Sequence, residues 1–280
     1  MSASPIILVN GSESRVLDTT DRGVAYGDGV FETIQLLSGR LLYLDLHLAR
    51  MKQGLDRLHI PAERVMAKVQ RDISSLEPQF GDTKKVLKII VTRGAGGRGY
   101  AVSEQLKPTR VVQLSVAPEF PSELYRQGIK SRICQYQLSD NPVLAGIKHL
   151  NRLDQVMARS EWSDPDIREG IVCDRSGNVV EGTMSNLFWV EKGELYTPDL
   201  SNYGVSGIVR NQLIALAKAN GIKVNIGIYP LDCLLRADEV FFSNSLINVW
   251  PVQAIDEQVF TIGNVTRLLQ AALEEDYLKC

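Results

Sequence analysis

The sequence is poor in the residues that build metal and redox centres. It has four cysteines, Cys134, Cys173, Cys233 and Cys280, far apart and without a CxxC pair. That spacing suggests neither a disulfide framework nor a cysteine metal site. Its three histidines, His47, His59 and His149, have no metal-ligand spacing. No metal is therefore expected. No apolar run approaches the roughly 18 residues that a membrane span requires. The N-terminus lacks a basic start and carries only a four-residue apolar run, Ile6–Val9, so no signal peptide is expected. Nor is there an excess of charge. A net charge of −2 gives no reason to expect nucleic acid or an anionic membrane as partner. A reducing, cytoplasmic setting fits these absences.

What is present is an ordinary globular composition. The 280 residues are 44% hydrophobic and 23% charged, enough for one large domain or two of moderate size. Ile6–Val9 reads as a strand closed by Asn10-Gly11, and residues 30–37 and 41–44 read as a hairpin around Ser38-Gly39. Helices are expected over about 45–59, stopped by Pro61, and over 62–76. Strands are expected over 86–92, 111–116 and 131–138. A helix then runs to about 162, with Leu150, Leu153, Val156, Met157 and Ser160 at its three- and four-residue steps. Strands over 169–173 and 186–190 precede a helix over 206–220 that ends at Gly221. The remainder alternates, with strands over 222–228, 239–243 and 249–255 and helices over 230–236 and 263–278. Two prolines, Pro118 and Pro121, mark a linker over 118–122. It divides a smaller N-terminal α/β domain, 1–117, from a larger C-terminal domain, 123–280. The class is mixed α+β or α/β, without repeats.

Several stretches carry chemistry. Lys148 lies between Ile147 and Leu150 where an extended segment meets a helix. Partial loss of hydration there would free its amine as a nucleophile, although a lysine whose ammonium reaches water is the commoner outcome. Gly94-Ala-Gly-Gly-Arg-Gly99 matches GxGxxG after a strand, but no helical pattern follows, as a dinucleotide fingerprint requires. A glycine-rich loop presenting Arg93 and Arg98 to a substrate carboxylate is the better reading, with a surface hairpin as the alternative. Residues 202–210 open a helix whose free N–H groups suit a phosphate, unless Ser206 merely caps it. Ser243-Asn244-Ser245 ends a strand, where α/β ligand sites commonly fall, or else is a polar turn. Glu181 follows two valines and, if buried, needs a partner.

In this order the pieces resemble the fold-type IV pyridoxal-phosphate enzymes, which include branched-chain and D-amino-acid aminotransferases and aminodeoxychorismate lyase. The resemblance runs through Asp21-Arg22-Gly23, Tyr26–Thr33, His47–Arg50, the Lys148 segment, Glu181–Phe188, Gly204–Arg210 and Ser243–Ser245. Residues 93–100 and 144–153 look most like the lyase branch. The resemblance implies a two-domain fold-type IV architecture with the cofactor lysine in the C-terminal domain, a homodimer, and pyridoxal 5′-phosphate as cofactor. It implies Lys148 as the Schiff-base lysine and proton acceptor, and Glu181 facing the pyridine nitrogen. Arg50, the N–H groups of Ile208 and Val209, and Ser245 would hold the phosphate. Thr33 would serve proton transfer at the departing group, and Arg98, Tyr100 and Asn244 would bind substrate. The implied reaction converts 4-amino-4-deoxychorismate to 4-aminobenzoate and pyruvate in folate synthesis. A transaminase of branched-chain or D-amino acids is the alternative on the same scaffold, and Thr33 argues against it because a branched-chain transaminase would be expected to have glycine there. A nucleotide-binding protein without the cofactor rests on GxGxxG alone.

Overall fold

A computed structural model describes residues 4–97, 99–103 and 105–279. They form two compact units. The first comprises residues 4–118 together with Ile147–Asn151, and the second Glu119–Gly146 and Arg152–Lys279.

In the first unit, β1 (Ile6–Val9), β2 (Ser12–Glu13), β3 (Gly29–Leu37), β4 (Arg40–Leu41), β5 (Lys85–Thr92) and β6 (Thr109–Val116) join in an antiparallel sheet of order β2-β1-β6-β5-β3-β4. Helices α1 (Arg22–Tyr26), α2 (Leu44–Arg57) and α3 (Ala62–Leu76) complete it. Alternation along β3 turns Ile34 and Leu36 into a core with Leu48, Met51 and Leu55 of α2 and Val65, Val69 and Ile73 of α3. Glu32 lies on that same buried face, whereas Phe31 and Thr33 lie on the other.

The second unit contains α4 (Ser122–Arg126), β7 (Ile129–Leu138), α5 (Leu153–Arg159), β8 (Ile167–Asp174), β9 (Val179–Gly182), β10 (Asn186–Glu191), β11 (Glu194–Pro198) and α6 (Ile208–Ala219). After these come β12 (Val224–Gly227), α7 (Leu231–Leu235), β13 (Glu239–Asn244), β14 (Asn248–Ile255), β15 (Gln258–Val259) and α8 (Asn264–Tyr277). Its mixed sheet has the order β12-β11-β10-β13-β14-β7-β8-β9, with β15 beside β14. Four successive residues of β10, Leu187–Val190, are buried, so this strand is covered on both faces. Among the described residues, no helix is long and apolar enough to cross a membrane.

Two expectations need correction, and two further features were not expected. Leu150 is not part of the helix. The Phe31 N–H donates to Lys148 O at 2.9 Å, and the Leu150 N–H donates to Gly29 O at 2.9 Å. Residues 148–150 are therefore extended beside β3, and α5 begins at Leu153. These bonds also explain why Lys148 groups with the first unit, although the sequence reading put it in the C-terminal domain. The apolar stripe of α5 faces outward: Leu153, Val156 and Met157 are exposed, and Ala158 is buried. Residues 22–26, for which the sequence reading named no element, form the helix α1. Asp21 caps α1 by accepting from the Gly23 N–H, and Gly27 ends it in the left-handed conformation at φ 67°.

Candidate active site

The first unit brings Glu32, His47 and Arg50 into one buried cluster. Glu32 comes from β3, and the other two stand three residues apart on α2, one face of that helix. Arg50 Nε donates to Glu32 Oε1 at 2.8 Å and Nη2 to Oε2 at 2.5 Å. His47 Nδ1 lies 2.6 Å from Oε2. A carboxylate only accepts, so the His47 proton sits on Nδ1. Burial alone would raise the Glu32 carboxyl. The Arg50 charge and the bonds from Arg50 and His47 outweigh it and hold the carboxyl down to about 2. Burial lowers His47, against the pull of Glu32, with Arg50 and Lys148 adding to the lowering. Glu32 thus stays charged and fixes the plane of the Arg50 guanidinium.

Lys148 Nζ lies 4.5 Å from the centre of the Phe31 ring, and Thr33 follows Phe31 on the same face of β3. The structure therefore brings Lys148 to the strand that carries Thr33.

The glycine-rich loop is built differently from the sequence expectation. Arg93 is buried. Its Nε donates to Asp28 Oδ2 at 2.7 Å, and its other nitrogens donate to the carbonyls of His59 (3.1 Å) and Leu58 (2.6 Å) at the end of α2. Arg93 is spent on Asp28 and a helix terminus, and does not offer itself to a substrate carboxylate. Arg22 also pairs with Asp28, at 2.9 Å, and donates to Gly99 O at 2.9 Å and Tyr100 O at 3.3 Å, anchoring the loop. Burial would raise the Asp28 carboxyl, but the two guanidinium groups hold it below its ordinary value. Tyr100 is exposed, with its ring 5.5 Å from that of Tyr26. Arg98 lies outside the described residues. No helix follows the glycines among the described residues, and β6 comes next. GxGxxG is therefore not a dinucleotide fingerprint here.

In the second unit Glu181, on β9, is buried. Its Oε2 accepts from the Val205 N–H at 3.0 Å, and its Oε1 accepts from Gln155 Nε2 at 3.4 Å. Gly204 has φ 60°, and a Cβ there would stand 2.5 Å from Glu181 Oε2. Only glycine admits the carboxylate so close. Burial lowers Arg152, and the charges of Glu181 and then Asp154 oppose that lowering. Asn186 Nδ2 donates to Val205 O at 2.9 Å and so holds the approach to α6. That helix has Gly207 at its N-cap and no side-chain cap. The first-turn N–H groups of Ile208 and Val209 have no acceptor within the helix, which suits an anion. Asn244 Oδ1 accepts from the N–H groups of Leu246 (2.8 Å) and Ile247 (2.9 Å), and Nδ2 donates to Met184 O at 3.1 Å. Ser245 sits on this turn.

Sequence reasoning gave Glu169 no role, and read Arg152, Gln155, Asn186 and Gly204 only as parts of longer stretches. For Glu169 a signal existed, since Glu169, Ile171 and Cys173 share one face of β8 and the latter two are core residues.

The chain belongs to the class IV aminotransferase family, whose model (Amino-transferase class IV) matches residues 29–255. It is 34% identical to the aminodeoxychorismate lyase of Vibrio harveyi, over 95% of this chain and 98% of that protein. A crystal structure of 4-amino-4-deoxychorismate lyase from Pseudomonas aeruginosa superposes with a TM-score of 0.91 at 42% identity, covering 96% of this chain and 98% of that one. The D-alanine aminotransferase of Bacillus licheniformis is 30% identical over 97% of this chain and 95% of its own.

Proposed function

We propose that this protein is a pyridoxal-phosphate-dependent lyase that converts 4-amino-4-deoxychorismate to 4-aminobenzoate and pyruvate. The observation that carries the reading is the likeness, over nearly the whole chain, to the Pseudomonas aeruginosa lyase. The chain's own residues fit the cofactor. Arg50 and the uncapped α6 terminus suit its phosphate, the glycine cradle at Gly204 leaves room for the Glu181 carboxylate, and Lys148 offers an amine for its aldehyde.

When bound, pyridoxal phosphate supplies a ring that accepts the electron pair released at the carbon bearing the substrate amine. Arg50, the N–H groups of Ile208 and Val209, and the Ser245 hydroxyl are the groups that would hold the phosphate. Glu32, itself held by His47, keeps Arg50 oriented. Glu181 would face the pyridine nitrogen and keep it protonated. Lys148 would hold the cofactor through its amine and would serve as the base that takes the proton from the amine-bearing carbon of the substrate. The bond from the ring to the enolpyruvyl oxygen then breaks and the product ring becomes aromatic. A proton delivered through the Thr33 hydroxyl to the departing methylene completes pyruvate. Arg98, Tyr100 and Asn244 bind the substrate's carboxylate and oxygen groups.

The protein works in the cytoplasm as a homodimer. The exposed apolar stripe of Leu153, Val156 and Met157 on α5 supports the dimer.

The decisive experiment supplies 4-amino-4-deoxychorismate and follows 4-aminobenzoate, beside amino-group transfer from D-alanine or a branched-chain amino acid to 2-oxoglutarate. Formation of 4-aminobenzoate is expected. Transamination without it would overturn the reading in favour of a transaminase.

A further inference from the structure

Glu169 is fully buried on β8 and accepts five hydrogen bonds. Its Oε1 takes the N–H of Gly170 (2.9 Å), the N–H of Thr183 (2.9 Å) and the Thr183 hydroxyl (2.5 Å). Its Oε2 takes the Ser185 hydroxyl (2.6 Å) and, more loosely, the Met184 N–H (3.4 Å). Four of these donors belong to three consecutive residues of the turn between β9 and β10. The turn is closed by the Gly182 N–H donating to Ser185 O at 2.7 Å. A Cβ on Gly182 would stand 2.9 Å from the Glu169 carboxyl carbon, so glycine is needed for the carboxylate to enter the turn. Burial pushes the Glu169 carboxyl above its ordinary range, and the donors from Ser185, Thr183, Gly170 and Met184 oppose the shift. A buried carboxyl group held by five hydrogen bonds defines one conformation of its surroundings, because any departure leaves buried polar groups unsatisfied.

What hangs from this turn gives it meaning. Glu181 immediately precedes it on β9. Asn186 immediately follows it and holds the approach to α6 through Val205 O. Met184 O accepts from Asn244 Nδ2 and so ties the turn to the end of β13. We propose that Glu169 is the positioning residue of this turn, setting Glu181, Asn186 and Asn244 in register with one another. It touches none of the reacting atoms. The inference rests on the functional reading above for the roles of Glu181 and Asn244, but not for the hydrogen bonds.

The test is Glu169→Gln in the full-length holoenzyme. The amide can accept on one side only and turns a donor towards the donors on the other. Peptides covering residues 181–187 and 243–247 are expected to exchange their amide hydrogens about tenfold faster, with the rest of the chain unchanged. The dissociation constant for pyridoxal phosphate should rise about tenfold or more, the usual effect of losing a charge-assisted hydrogen bond. The pH midpoint of the bound cofactor's visible band should move as well, which a merely structural role would not cause. A folded variant with unchanged exchange in both peptides and an unchanged midpoint overturns the proposal. Should Glu169→Gln fail to fold, Ser185→Ala removes a single donor and is read in the same way, with a change of about threefold expected and no change overturning it. If the wild-type protein takes up no pyridoxal phosphate, the functional reading fails, and exchange at 243–247 alone decides for or against Glu169.

Discussion

The Glu32 carboxylate grips the Arg50 guanidinium through both of its oxygens, with His47 on the second, inside the core between β3 and α2. This buried ion pair is arranged for orientation more than for stability. Replacing such a pair by apolar residues is often neutral, whereas removing one partner strands a buried charge. Glu32→Gln is accordingly expected to destabilise the protein by about 3 kcal/mol in urea titrations at pH 7, and to weaken binding of the cofactor phosphate.

The same cluster sets a pH dependence. The folded protein holds the Glu32 proton less tightly than the unfolded chain, since the carboxyl is lowered from 4.5 to about 2. The stability it contributes is fully present above the unfolded value and is lost as pH falls through about 2. Unfolding free energy measured from pH 5 down to pH 2 should therefore decline in the wild type and decline less steeply in Glu32→Gln. Parallel curves would remove Glu32 from the acid response.

Lys148→Ala should abolish turnover and the irreversible mass gain that borohydride produces on the cofactor-loaded protein. A variant that retains full activity would take Lys148 out of the mechanism.

Thr33→Ala should slow lysis by about 10²-fold, the range of a lost proton-transfer group, without altering the visible spectrum of the bound cofactor. Single-turnover formation of 4-aminobenzoate measures the step directly. An unchanged rate assigns the proton to another donor or to water.

Gly204→Ala places a methyl 2.5 Å from Glu181 Oε2 on a backbone at φ 60°. The left-handed conformation alone costs about 1 kcal/mol, and the contact pushes Glu181 out of place. Cofactor affinity should fall by more than the loss in thermal stability accounts for, as fluorescence titration beside thermal unfolding would reveal.

Periodicity located most of the elements. Helix α3 spans Ala62–Leu76 as expected, because apolar residues at 62, 65, 69, 73 and 76 leave one face for the core and Pro61 stops the chain before it. Strands β5, β6, β10, β13 and β14 fall within two residues of their expected bounds, since runs of branched and aromatic residues leave few alternatives. Helix α1 was not legible. Its five residues carry no periodic signal, and its cap at Asp21 and stop at Gly27 act only once the helix exists.

Sequence by itself pointed to the family and supplied a proposed roster of reactive groups, because both depend on which residues occur and in what order. Lys148, Arg50, Thr33 and Glu181 could be named without coordinates. Tertiary structure decided how each group is held. Arg93 and Arg50 look alike in sequence as arginines beside apolar runs. Arg93 is spent on Asp28 and two helix-end carbonyls, while Arg50 is oriented by Glu32 and His47. Likewise Glu169 and Glu181 look alike as acids in apolar strands. Only the fold makes the first an anchor for the turn between β9 and β10 and leaves the second beside the glycine cradle at Gly204. Partners in these pairs lie up to 65 residues apart in the chain, a range over which local pattern carries no information and only packing decides.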